Sequence, residues 1–157
     1  MHIYIMRHGQ AEFKARSDSE RPLTLVGRRE SEKVAAYLAN NNVTFDAALI
    51  SPYLRAQQTW ESVCPFVAQN VQMQTTKFLT PSGSVRKSIN EILALQASGV
   101  KSLLIVSHLP LVGYLVGELV PAVGSPAFAT SSIAHVELDE SGFGCLHSLT
   151  AASQIDG

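Results

Sequence analysis

The chain has 157 residues, 46% hydrophobic and 16% charged, with a formal net charge of −1 at pH 7. That length suits a single domain over 1–157 with a substantial core, and the near-neutral balance argues against a dedicated nucleic-acid binder, which carries a basic surplus. No run is long enough to span a bilayer, and the N-terminus lacks the basic and apolar regions of a signal peptide.

His2-Ile3-Tyr4-Ile5-Met6 has the β-branched and aromatic content of a buried strand. Arg7-His8-Gly9 follows without a spacer, so a cation and an imidazole stand beyond the strand's carboxyl end, where open α/β sheets bind ligands. Gly9 lets the backbone bend away and approach a ligand closely. Residues 10–22 are polar and loop-like. Pro22-Leu23-Thr24 opens a helix with Thr24 as N-cap; Arg28 and Glu32 face solvent while Val34, Ala35 and Leu38 form an apolar stripe. Asn40-Asn41-Asn42 stops it, because asparagine prefers caps and turns.

Residues 43–50 read as a second strand. Ser51-Pro52 then opens a helix, with Ser51 as N-cap and Pro52 at the first helical position; it runs to about Val63 and breaks near Pro65. Arg55 falls in the first turn. Helical side chains lean toward the N-terminus, so its guanidinium reaches back to the strand end. Between 67 and 83 the pattern is mixed, with a brief strand at 71–74 and a loop at 79–83, before a helix over about 84–96 that Gly99 terminates. Ser102-Leu103-Leu104-Ile105-Val106-Ser107 is the clearest buried strand and runs straight into His108-Leu109-Pro110. Pro110 opens a helix carrying Leu111, Tyr114, Leu115 and Leu119, which Pro121 ends. Residues 132–138 and 145–149 form strands around a Glu140-Ser141-Gly142 turn. Strands separated by helices predict an α/β fold, a mainly parallel sheet covered on both faces. Cys64 and Cys145 lie far apart without a Cys-x-x-Cys spacing, and read as two buried reduced thiols of a cytoplasmic protein.

Three strand ends thus carry Arg7 with His8, Arg55, and His108. Two of them lead into helices whose first turns expose free N–H groups and positive dipole ends. Two guanidiniums, two imidazoles and helix N-termini suit a compact dianion, and phosphate fits best. Singly, each residue has an ordinary alternative: Arg55 as a solvated first-turn cation, His108 as a buried histidine bonded to backbone. His2, His135 and His147 read as ordinary, since none sits beside another reactive group at a strand-to-helix junction.

Arg7-His8-Gly9, Ser51-Pro52-Tyr53-Leu54-Arg55-Ala56-Gln57-Gln58-Thr59 and Val106-Ser107-His108 resemble the motifs of the histidine phosphatase superfamily, the phosphoglycerate-mutase-like fold, as does Pro22-Leu23-Thr24 with Gly27. The resemblance implies a three-layer α/β/α sandwich and covalent phosphoryl transfer. His8 would be the nucleophile, while Arg7, Arg55 and His108 bind the phosphoryl group. No cofactor and no metal are expected, because the cations already present take a metal's electrostatic place. An imidazole, with a reference pKa of about 6.5, offers a lone pair near neutrality, provided its other nitrogen is held as a donor.

Two departures refine the expectation. Many relatives carry a glutamate that protonates the leaving oxygen, whereas this chain has Leu79-Thr80-Pro81-Ser82-Gly83 at that point; Glu91, the nearest later acid, sits within a helix and reads as structural. The region from 60 to 100 is also too short for a cap domain. An alkoxide leaving group needs an acid more than an imidazole does, and an uncapped site admits a side chain on another protein. The chain is therefore most similar to the short bacterial protein-phosphohistidine phosphatases of the SixA type, also through Arg21-Pro22-Leu23-Thr24 and Ser107-His108-Leu109-Pro110-Leu111-Val112-Gly113-Tyr114. Gln10 departs from the acidic residue expected after the Arg-His-Gly motif in that group.

Gly9, Arg21 and Leu109 are expected to contact substrate, and Lys14 and Arg16 read as a solvated loop. The implied partner is a phosphorylated histidine-containing signalling protein, such as a histidine phosphotransfer domain, met by a cytoplasmic monomer without nucleic acid or membrane. Inorganic phosphate and its analogues should also bind. The competing readings are a small-molecule phosphomonoesterase of the same fold and a non-catalytic phosphoprotein-binding module. Binding alone would not need a nucleophile beside Arg7.

Overall fold

Strands that are apolar on both faces need cover on both sides. The computed structural model describes residues 1–156 and supplies that cover. In chain order the elements are β1 (His2–Arg7), α1 (Leu25–Asn40), β2 (Ala47–Ile50), α2 (Leu54–Val67), β3 (Met73–Thr75), α3 (Val85–Ala97), β4 (Ser102–Ser107), α4 (Leu111–Leu119), β5 (Ile133–Leu138) and β6 (Gly144–Thr150). The strands form one sheet in the order β3-β2-β4-β1-β5-β6. β3, β2, β4 and β1 run parallel, whereas β5 and then β6 add antiparallel.

Strand alternation sorts the interior into two cores. Ile3, Ile5, Leu103 and Ile105 face α3 and α4, where Ile92, Leu111, Leu115 and Val116 meet them. Tyr4, Met6, Leu104 and Val106 face α1 and α2, against Val34, Leu38, Trp60 and Val63. This is the expected three-layer α/β/α arrangement with a mainly parallel sheet, and no cap domain stands among the described residues.

Thr24 caps α1 as expected, its hydroxyl accepting the Gly27 N–H at 3.0 Å, and α1 stops at Asn40, with Asn42 at φ 61°. The start of α2 differs. The helix begins at Leu54 with Tyr53 in the cap position, so Ser51 is not the N-cap and Pro52 is not the first helical residue. The Ser51 hydroxyl lies instead 2.7 Å from His108 Nε2. Nor does Pro65 break α2, which continues to Val67. Proline forfeits one hydrogen bond there, but the extra turn keeps Val63 and Val67 in the core. β2 is shorter than 43–50 and β3 lies slightly later than 71–74.

The cysteines also depart from expectation. Both are free, but Cys64 is only half-buried and Cys145 is exposed, pointing outward from the edge strand β6. The edge position leaves an outward-facing residue without cover. Among the described residues no helix is long and apolar enough to cross a membrane.

Candidate active site

Strand register assembles the site. Ile50 lies opposite Val106, and Val106 opposite Met6, so the residues that leave β2, β4 and β1 emerge side by side. The ladder runs on past the strand ends, with His8 N–H donating to Ser107 O and Ser51 N–H to Val106 O, each at 3.0 Å. His8 and His108 therefore stand on neighbouring parallel strands with ring centroids 5.1 Å apart. Arg55, the second residue of α2, reaches back to them as its helical position dictates.

His8 is buried, and its Nδ1 lies 2.7 Å from the Gly9 carbonyl oxygen. A carbonyl only accepts, so Nδ1 carries the proton and Nε2 keeps its lone pair. Arg55 Nε–H donates to that Nε2 at 3.3 Å. Burial pushes His8 down to about 4, with the Gly9 bond opposing and the Arg55, Arg7 and Arg21 guanidiniums reinforcing the fall. His108, 1% exposed, is pushed down to about 2 by burial first, then by His8 and Arg55. Both rings are thus neutral near pH 7, and the positive charge of the site resides on the arginines. Arg7 Nη1 donates to Phe128 O at 2.8 Å, while its buried Nε has no hydrogen-bond partner.

The structure brings Arg7, His8, Arg55 and His108 together. It places the other three expected contacts less directly. A Cβ at Gly9 would come within 2.8 Å of the Gly27 carbonyl oxygen, so what requires glycine there is the approach of α1. Arg21 donates through Nε to Glu12 O at 2.6 Å and through Nη1 to Asp18 Oδ1 at 3.1 Å, closing the polar loop on itself. Leu109 follows His108 and is 36% exposed. Glu91 accepts from Thr76 Oγ1 at 2.9 Å in the wall of a groove beside β3 and α3, which none of the four central residues lines.

Asp18 is the residue the sequence reading missed. It opens a short 3₁₀ turn in the 10–22 loop and pairs with Arg55, Oδ2 to Nη2 at 3.1 Å, while its carbonyl accepts Arg55 Nη1 at 2.6 Å. Burial works against its ionisation, but the hydrogen bonds from Arg21 and Arg55 prevail and hold the carboxyl below its ordinary range. A clue stood in the sequence: Asp18 lies three residues before Arg21 in an otherwise solvated loop. Ser51 and Thr59 also belong to the site's support, Thr59 Oγ1 accepting the Gly9 N–H at 2.9 Å. His2, His135 and His147, read as ordinary, adjoin one another across β1, β5 and β6. His2 Nδ1 lies 2.9 Å from His135 Nε2, and His135 and His147 centroids are 4.8 Å apart. Antiparallel pairing of distant segments creates that cluster.

A parallel α/β sheet that ends in Arg-His-Gly, with a second arginine and histidine from adjacent strand ends, has the fold and site of one class of protein: this chain belongs to the histidine phosphatase superfamily. The model of that superfamily's branch 1 matches residues 3–80. Among its relatives, the phosphohistidine phosphatase SixA of Escherichia coli K12 is 47% identical over 144 residues, covering 92% of this chain and 89% of that one. A SixA homolog of Haemophilus influenzae is 37% identical over 146 residues, covering 88% of this chain and 89% of its own. The solved structure of the protein histidine phosphatase SixA complexed with tungstate superposes with a TM-score of 0.95 at 44% identity, over 98% of both chains.

Proposed function

We propose that this chain is a metal-independent phosphohistidine phosphatase in which His8 is the nucleophile. The observation that carries the reading is His8 itself, a buried neutral imidazole whose Nδ1–H is held by Gly9 and whose Nε2 lone pair meets the Arg55 guanidinium. Nε2 attacks phosphorus in line; the new N–P bond forms as the bond to the substrate's imidazole breaks, and that imidazole leaves with a proton from solvent. Arg7, Arg55 and His108 bind the equatorial oxygens, where charge spreads in the transition state. Water then attacks the phosphohistidine, phosphate departs and the His8 lone pair returns.

The substrate we infer is a phosphorylated histidine on a signalling protein, such as a histidine phosphotransfer domain. The nearby polar loop bears Phe13, 92% exposed, where a partner protein would meet it. Tungstate occupies the SixA structure named above, and inorganic phosphate and its analogues are the ligands expected here. Gly9, Arg21 and Leu109 would border the bound group, and the reading goes with a single-domain, cytoplasmic, monomeric enzyme.

The test is hydrolysis of three substrate classes by one preparation, with His8→Ala as the blank. A phosphohistidine protein should have the highest kcat/KM, aryl phosphates should be intermediate, and alkyl phosphates lowest. A supplied or missing general acid changes rates by about 10²–10⁴-fold, which sets the scale of the gap. Turnover by His8→Ala equal to the unaltered protein, or a sugar phosphate matching the phosphohistidine substrate, would overturn the proposal.

A further inference from the structure

Ser51 is fully buried, with every polar group engaged. Its N–H donates to Val106 O at 3.0 Å, and its carbonyl accepts Gln57 Nε2–H at 2.8 Å. Its hydroxyl oxygen accepts the Tyr53 N–H at 3.3 Å and lies 2.7 Å from His108 Nε2. A hydroxyl has one proton to give. Here its near neighbours are a backbone donor, which cannot receive that proton, and the imidazole nitrogen, which can.

A neutral imidazole carries one proton. If Nε2 accepts from Ser51, the proton of His108 is on Nδ1. Nδ1 is one of two buried side-chain polar atoms without a hydrogen-bond partner among the described residues; the other is Arg7 Nε. An unpartnered buried N–H has given up its hydration without a replacement bond. The loss is recovered if an acceptor binds there. A phosphoryl group offers only acceptors, so it pairs with Nδ1–H and would be repelled by a bare lone pair.

We propose that Ser51 is a positioning residue that fixes His108 as its Nδ1–H tautomer, so that the ring presents a donor to a phosphoryl oxygen while remaining uncharged. The assignment rests on the phosphoryl-binding reading of the pocket.

The test is the two-bond ¹H–¹⁵N spectrum of labelled, ligand-free protein near pH 7. His108 should show a protonated Nδ1 and a bare Nε2, and an Nε2–H tautomer would overturn the proposal. In Ser51→Ala the ring should populate Nε2–H, and inhibition by inorganic phosphate should weaken at least tenfold. Ser51→Thr, which keeps the hydroxyl, should restore the Nδ1–H signature. A residue that merely fills space would lower the yield of folded Ser51→Ala without moving the tautomer, and that result also counts against the assignment. The spectrum of the unaltered protein decides even where a variant fails to fold. It involves no turnover, so failure of the phosphatase reading would show separately, as no hydrolysis of a phosphohistidine protein.

Discussion

Asp18 puts a carboxylate on the guanidinium proposed to bind the phosphoryl group. Its Oδ2 is 3.1 Å from Arg55 Nη2, so a bound dianion and Asp18 compete for one cation and repel each other. Asp18→Asn keeps the side chain's size, and the Asp18 carbonyl still holds Arg55 Nη1 at 2.6 Å. The variant should therefore bind phosphate more tightly, by up to about fivefold given the typical strength of a solvent-exposed pair, with the gain shrinking as salt rises. Competitive inhibition constants at two ionic strengths check this. Unchanged or weaker binding would make Asp18 a support for Arg55 rather than its competitor. At this scale the sequence is informative where chemistry sits at a strand end or a helix's first turn, as with His8, His108 and Arg55. For Asp18 it offers only the spacing to Arg21, because Arg55 lies 37 residues away and is reached only by the path of a loop.

Elements constrain the site through one close contact between α1 and the loop that follows β1. A Cβ at Gly27 would come 2.2 Å from the Gln10 carbonyl oxygen, and one at Gly9 would meet Gly27 O and Ser31 Oγ. Replacing glycine by alanine inside a helix ordinarily stabilises by about 1 kcal/mol. Gly27→Ala should do the reverse and destabilise by about 1–3 kcal/mol, the usual effect of forcing volume into a packed contact. It should also lower kcat/KM, since the displaced loop carries Asp18 and Arg21. Urea unfolding of the variant gives the sign directly, and a raised midpoint would refute the contact. The helix starts show what sequence can resolve. Thr24 is read correctly as the cap of α1 because it bonds within its own helix, to Gly27 N, as Ser84 does for α3, to Lys87 N. Ser51-Pro52 satisfies the same local rule, yet α2 opens only at Leu54, and the Ser51 hydroxyl lies against His108 Nε2.

At the scale of the whole molecule, the mainly parallel sheet covered on both faces follows from apolar strands alternating with helices; the strand order and the cross-strand histidines do not, since pairing of β1, β5 and β6 is a tertiary fact. Their chemistry joins that of the site in one measurable property. Burial holds His8 at about 4 and His108 at about 2, and burial, then His147 and His2, holds His135 at about 4. An unfolded histidine titrates near 6.5. Below that pH the unfolded chain takes up protons that the folded one refuses, so stability is full above about 6.5 and declines as pH falls toward 4. For His8 and His108 the loss is roughly 2 kcal/mol each at about pH 5; the more exposed His135 adds a smaller amount of the same sign. The carboxylates of Asp18, Glu137 and Asp139 are held below their ordinary ranges, so they keep their contribution until lower pH, and the window between about 6.5 and 5 belongs to the histidines. Urea unfolding free energies at pH 8, 6.5 and 5 should therefore fall across that interval. His8→Asn, with no titrating ring, should show a decline shallower by roughly 2 kcal/mol. Equal declines in the two proteins would mean that His8 takes up a proton in the folded state as readily as in the unfolded one, against the lowering that burial predicts.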